Sequence, residues 1–260
     1  MIDPLMFIAL LPAVVLVVYI CRKDRTDKEP PALIAKLLGY GVLSCLPAIV
    51  VELILSAIIE RLNVRNVYLG YFLEAFVVAG LTEETCKFLF LRTTWRNPAF
   101  DYQFDAIVYA VMVALGFAAF ENVKYVYSYG FATGIVRAVT AVPGHAIFGV
   151  FMGCFYGYAK LSDYWGRDDD RKAYLALSVV VPVLMHGCYD FLAFTQESDS
   201  RFTLLFYAYL IALYVFGIRR VNRSSRDDRR VTRETVFDYF RRMQYPMPPQ
   251  YRDRNDDFWR

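Results

Sequence analysis

The chain has 260 residues, 57% of them hydrophobic, 17% aromatic and 21% charged, with mean hydropathy +0.31 and a formal net charge of +3. A soluble domain is about 45–50% apolar and about 25% charged, so one core of this length cannot absorb the excess. Solvated disorder, a nucleic-acid-binding module and a disulfide-stapled secreted domain are excluded on the same ground.

A bilayer-crossing helix needs about 20 mostly apolar residues. Seven stretches qualify in chain order: 2–21, 33–59, 67–91, 104–127, 135–161, 173–194 and 202–218. The fold class predicted is all-α: a polytopic membrane helical bundle of about seven transmembrane helices, with its chemistry on helices three to six. The first stretch has its basic residues (Arg22, Lys23, Arg25, Lys28) after the apolar run, the order of an uncleaved anchor and not of a secretory signal. Basic residues also follow stretches five and seven, so the positive-inside rule predicts a multi-pass cell-membrane protein with its N-terminus outside and its C-terminus cytoplasmic.

The division expected is a transmembrane domain over 1–218 and a cytoplasmic arginine-rich tail over 219–260, with twelve arginines against seven acids. In that tail Thr232 is placed to cap a short helix with Val236, Phe237, Phe240 and Met243 on one face, suited to an anionic membrane surface; a solvated tail is the alternative. The five cysteines stand singly in apolar stretches, without metal-ligand or disulfide spacing.

Charge at the bilayer centre costs roughly 2.5–3.5 kcal/mol per group, so the spans that carry it need a reason. Stretch three holds Glu83, Glu84 and Lys87; stretch four Glu121 and Asn122; stretch five His145; stretch six His186 and Asp190. The two histidines are the only ones in the chain. His145, Gly149, Gly153 and Gly157 recur every four residues, a small-residue face suited to close helix approach. Ala110, Ala114 and Ala118 form a similar face leading to Glu121. His186 and Asp190 share a face, and Lys87 can reach either glutamate. Adjacent residues diverge by about 100°, so one glutamate faces the centre and the other supports it. Pro143 and Pro182 precede the histidines by two and four positions, predicting local helix breaks that admit water.

Hydrolysis suits this set. A carboxylate such as Glu84 takes a proton from water, while imidazoles polarise a carbonyl, stabilise an oxyanion or hold a metal. Buried Glu, His and Asp also build proton relays, so a secondary transporter or proton-coupled channel is the alternative. A receptor or scaffold gives no reason for paired acids beside two histidines.

The motifs Glu83-Glu84-x-x-Lys87, Phe117-x-x-x-Glu121-Asn122, His145-x-x-x-Gly149 and His186-x-x-x-Asp190 resemble, in order and spacing, those of the PrsW family of intramembrane proteases, related to the type II CAAX prenyl endopeptidases and Abi proteins. The likeness covers about residues 70–195. The prenyl endopeptidase branch resembles F-x-x-x-H in the second motif where this chain has Glu121, which argues against prenylated substrates. The resemblance implies cleavage of a membrane-anchored regulator of the anti-sigma-factor kind. Glu83, Glu84, His145 and His186 would be catalytic, supported by Lys87, Glu121, Asn122 and Asp190. A zinc ion on His145, His186, Glu121 and Asp190 is one expectation and a metal-free glutamate–histidine site the other. The partners expected are the protein substrate and the bilayer, with no nucleic acid and no nucleotide or organic cofactor.

Overall fold

The computed structural model describes residues 3–231, and the surface helix expected beyond Thr232 lies outside them. The first helix, α1 (Pro4–Lys23), starts behind Asp3, whose carboxylate accepts the Leu5 amide at 3.0 Å, and ends on Arg22 and Lys23. Both ends suit the helix dipole. α2 (Pro31–Arg61) opens on a proline, where the missing amide has no intrahelical partner to lose. α3 (Val67–Phe72) is capped by Asn66, which accepts the Leu69 amide at 3.1 Å. It passes without interruption into a π-helical segment, Leu73–Leu81, and then into α4 (Thr82–Leu91). A 3₁₀ turn, Arg92–Thr94, leads towards α5 (Asp105–Tyr129). α6 (Phe131–Val139), α7 (Ala141–Tyr164), α8 (Asp168–Ser198) and α9 (Arg201–Arg226) complete the described residues. Within them the only β pairing is an isolated bridge between Tyr102 and Arg230.

Among the described residues six helical stretches are long and apolar enough to cross a membrane, and α3, the π segment and α4 together occupy the third predicted stretch. The polytopic all-α bundle expected from the sequence is therefore observed. α5 is central: 78% of its apolar window is buried, against 17% for α1 and α2. The peripheral helices turn Val14, Val18, Leu53, Ile54, Leu204 and Phe216 outward, as lipid-facing surfaces require.

Small residues decide the approach of the central helices. The Gly149 face of α7 lies on the alanine face of α5, where a Cβ at Gly149 would sit 2.9 Å from the Ala114 Cβ and 3.0 Å from the Ala110 carbonyl oxygen. Gly187 of α8 admits the Phe76 ring of the π segment, which a Cβ there would strike. Packing of this kind replaces the hydrophobic drive that lipid does not supply.

Three sequence expectations need correction. The fifth stretch does not run unbroken, because the chain breaks at Thr140 (φ −125°, ψ −76°) between α6 and α7. Pro143 therefore lies in the first turn of α7, where proline is tolerated, and does not kink a helix interior. Pro182 does lie inside α8. The last helix also continues past residue 218 to Arg226.

The ends sort into two faces. At one, the Ser225 hydroxyl donates to the Lys23 carbonyl, Tyr109 donates to Glu29 at 2.9 Å, and the Gln103 amide donates to the Arg229 carbonyl at 2.8 Å. At the other, Tyr127 donates to Asp3, and Tyr71 and Ser198 share a hydrogen bond of 2.6 Å.

Candidate active site

Four elements bring the intramembrane polar groups together. In a π-helix the i→i+5 bonding gives a wider turn than in an α-helix, so the nine residues before Thr82 use up chain with less axial advance. This places Glu83, Glu84 and Lys87 opposite α7 and α8 although they stand late in the third crossing.

Lys87 is the hub. Its Nζ lies 3.0 Å from Glu83 Oε2, 2.8 Å from Glu84 Oε1 and 3.0 Å from His145 Nδ1, and 4.0 Å from the Phe117 ring centre. His186 Nδ1 lies 3.0 Å from Glu84 Oε1 and 3.9 Å from Glu83 Oε2. The two imidazoles stand edge to face, centroids 5.1 Å apart, and Phe148 stacks on His186 at 5.0 Å. Glu83, Glu84, Lys87, His145 and His186 are all buried. Both acids of the third crossing thus face the histidines, Glu84 the more closely.

The outer nitrogens are held too. His145 Nε2 lies 2.9 Å from Glu121 Oε2, and His186 Nε2 lies 3.1 Å from Asp190 Oδ2. Carboxylates behind imidazoles fix ring orientation and tautomer and raise basicity towards the other nitrogen. The chain beyond Glu121 is anchored in turn, since Asn122 Nδ2 donates to the Ala9 carbonyl at 2.8 Å.

Donor atoms from Glu83, Glu84, His145 and His186 all lie within 4.8 Å of one another, so this buried cluster could hold a metal ion. The arrangement differs from the expected set of His145, His186, Glu121 and Asp190, because the last two occupy the histidines' far nitrogens. The donors fit a borderline cation such as zinc, which takes imidazole nitrogen and carboxylate oxygen. The second oxygen of Glu84, Oε2, is buried with no hydrogen-bond partner among the described residues. Such an orphan costs free energy unless a further group uses it.

Arg137 was not among the sequence candidates. It projects from α6 to place Nη2 2.9 Å from Glu121 Oε2 and Nε 3.1 Å from Asn122 Oδ1. A signal was available: Arg137 is a lone cation near the start of an apolar stretch, and intramembrane charges are functional candidates by default. Phe148, one aromatic wall, carried no comparable signal in an aromatic-rich chain, whereas Phe117, the other, opens the second motif.

Residues 29–218 match the PrsW family, described as intramembrane metalloproteases. The chain is 34% identical to the Protease PrsW of Bacillus subtilis (strain 168) over 214 residues, covering 82% of this chain and 92% of that protein. It is also 34% identical to the Protease PrsW of Oceanobacillus iheyensis over 215 residues (82% and 93%), and 28% identical to that of Clostridioides difficile (strain 630) over 232 residues (87% and 94%). No solved structure matches the chain.

Proposed function

Because the chain belongs to the PrsW family and is an intramembrane protease, we propose that Glu83, Glu84, His145 and His186 form its hydrolytic centre, acting on a membrane-anchored regulatory protein of the anti-sigma-factor kind. The observation that carries this reading is the convergence of donors from these four residues within 4.8 Å.

Glu84 is the base. Its Oε1 is committed to Lys87 and His186, which leaves the unpartnered Oε2 to take a proton from water. Lys87 keeps both glutamates in place and offsets their charge. Glu83, His145 and His186 make a set of two imidazoles and one carboxylate suited to hold zinc with an open position. A zinc ion bound there supplies Lewis-acid polarisation of the scissile carbonyl and of water. Asp190 and Glu121 hold the imidazoles in orientation, and Arg137 holds Glu121.

Depth bears on where the substrate is cut. Glu121 lies about 12 Å of helix from the Tyr129 end of α5 and about 24 Å from its Asp105 end, at 1.5 Å per residue. His145 is likewise near the start of α7. The basic helix ends, Lys23 and Arg226, gather at the opposite face, which we take as cytoplasmic by the positive-inside rule. The site then lies in the outer half of the bilayer, and cleavage falls near the outer end of the substrate's transmembrane segment. Access is from the side of Glu121 and Asp190, whose side chains are 20% and 17% exposed while that of Glu84 is 0%.

The test is cleavage of a single-span substrate in proteoliposomes, with the cut mapped by mass spectrometry. Glu84→Gln and His186→Ala protein that inserts normally but leaves the substrate intact is the expected result. Parental cleavage by either variant would overturn the site, and a cut near the cytoplasmic end would overturn the depth.

A further inference from the structure

The last turns of α1 and α9 lie side by side, with Lys23 Nζ donating to Asn222 Oδ1 at 2.6 Å. Between them is an open cavity of 590 Å³ lined by Lys23, Arg25, Arg219, Arg223 and Arg226, with Asn222 and Ser225. None of the described residues lining it is acidic. Arg223 is 3.6 Å from Asp227, but Arg25, Arg219 and Arg226 make no ion pair with any described residue. Five cations around one concavity repel one another, and an anion placed among them removes that repulsion. Guanidinium groups match the geometry of phosphate oxygens through paired N–H donors.

The surface leading to the cavity is apolar. On α9, Ile211 and Val215 are exposed on the face that continues, at four-residue spacing, into Arg219 and Arg223. On α1, Val15 and Val18 are exposed just before the helix reaches Lys23. A greasy ridge ending in a cationic cup has the layout of an acyl chain below a headgroup. We infer that the cavity between the ends of α1 and α9 binds the phosphate group of an anionic phospholipid, whose acyl chain lies along Ile211 and Val215. Basic pockets between helix ends at the cytoplasmic leaflet suit such headgroups. The site is separate from the hydrolytic centre and needs none of its residues.

The test is native mass spectrometry of the full chain in an uncharged detergent, with phosphatidylglycerol, phosphatidylcholine or inorganic phosphate added alone and in competition. The parent is expected to retain phosphatidylglycerol over phosphatidylcholine. The triple variant Arg219→Gln, Arg223→Gln, Arg226→Gln is expected to lose about a hundredfold of that binding, at about tenfold or less per arginine. The corresponding arginine-to-lysine triple variant should keep most of the binding, which separates lost charge from lost fold. Arg61→Gln with Arg65→Gln, at the other face, should leave it unchanged. Arginine-dependent binding of inorganic phosphate that displaces phosphatidylglycerol would keep the phosphate site but overturn the lipid as its source. Equal retention of the two lipids, or phosphatidylglycerol binding that survives the glutamine triple variant, would overturn the inference.

Discussion

The bundle buries carboxylates at two levels and treats them in opposite ways. In the proposed hydrolytic centre Glu83, Glu84, Glu121 and Asp190 meet Lys87, Arg137 and two imidazoles, so each of these acids has a cation or a ring nitrogen within 3.1 Å. At the opposite face Asp24, Glu29 and Asp105 are gathered with Asp101 and Asp228, and Asp24, Glu29 and Asp105 each keep one buried oxygen without a partner among the described residues. Burial pushes the Asp24 carboxyl up to about 6, helped by Asp228 and Asp27, and pushes Glu29 up to about 7 against the hydrogen bond from Tyr109. Acids set among cations and ring nitrogens have partners for their charge, whereas acids gathered with one another can be held as neutral carboxyls.

The largest effects should come from the matched centre. Glu84→Ala or His186→Ala should lower cleavage by about 100- to 10,000-fold, measured as initial rates in proteoliposomes against a Glu74→Gln control, whose carboxylate instead accepts from Ser56 on α2. Chelation should abolish cleavage and zinc should restore it; full activity in protein shown to be metal-free would reject the metal. Lys87→Met leaves Glu83 and Glu84 buried without their cation and should cost about 3–5 kcal/mol of stability, seen as a lower thermal midpoint in detergent. Arg137→Ala and Asp190→Asn act one layer out and should lower activity or zinc affinity by about 10–100-fold, with Arg137→Lys restoring part of it.

The smallest effect tests the unmatched face. Asp24 and Glu29 bind protons more tightly folded than unfolded, so their contribution to stability is fullest below the ordinary carboxylate range. It falls as pH rises through about 6 to 7. The backbone pairing of Gln103 with Arg229 and of Val231 with Asp101 should therefore exchange hydrogen more slowly at pH 5 than at pH 8, after correction for intrinsic rates. Asp24→Asn should flatten that difference; an unchanged difference would show that these acids do not govern the contact.

Much of this protein is set by local sequence. Apolar runs of about 20 residues give the crossings wherever the chain sits, because lipid leaves backbone polar groups no partner but their own helix. The faces of His145, Gly149, Gly153 and Gly157 and of Ala110, Ala114 and Ala118 follow from helical spacing alone, and they do meet. Glu83, Glu84, His145 and His186 stand out because ionisable groups in hydrocarbon are costly. What no local pattern held was pairing across helices. That Glu121 sits behind the His145 imidazole, that Arg137 reaches back from α6 to Glu121, and that a π-helical segment carries Glu84 to His186 are outcomes of how separate rods dock. Each depends on crossing depth and rotation, which are set by steric fits such as Phe76 against Gly187 and not by any residue's own preference.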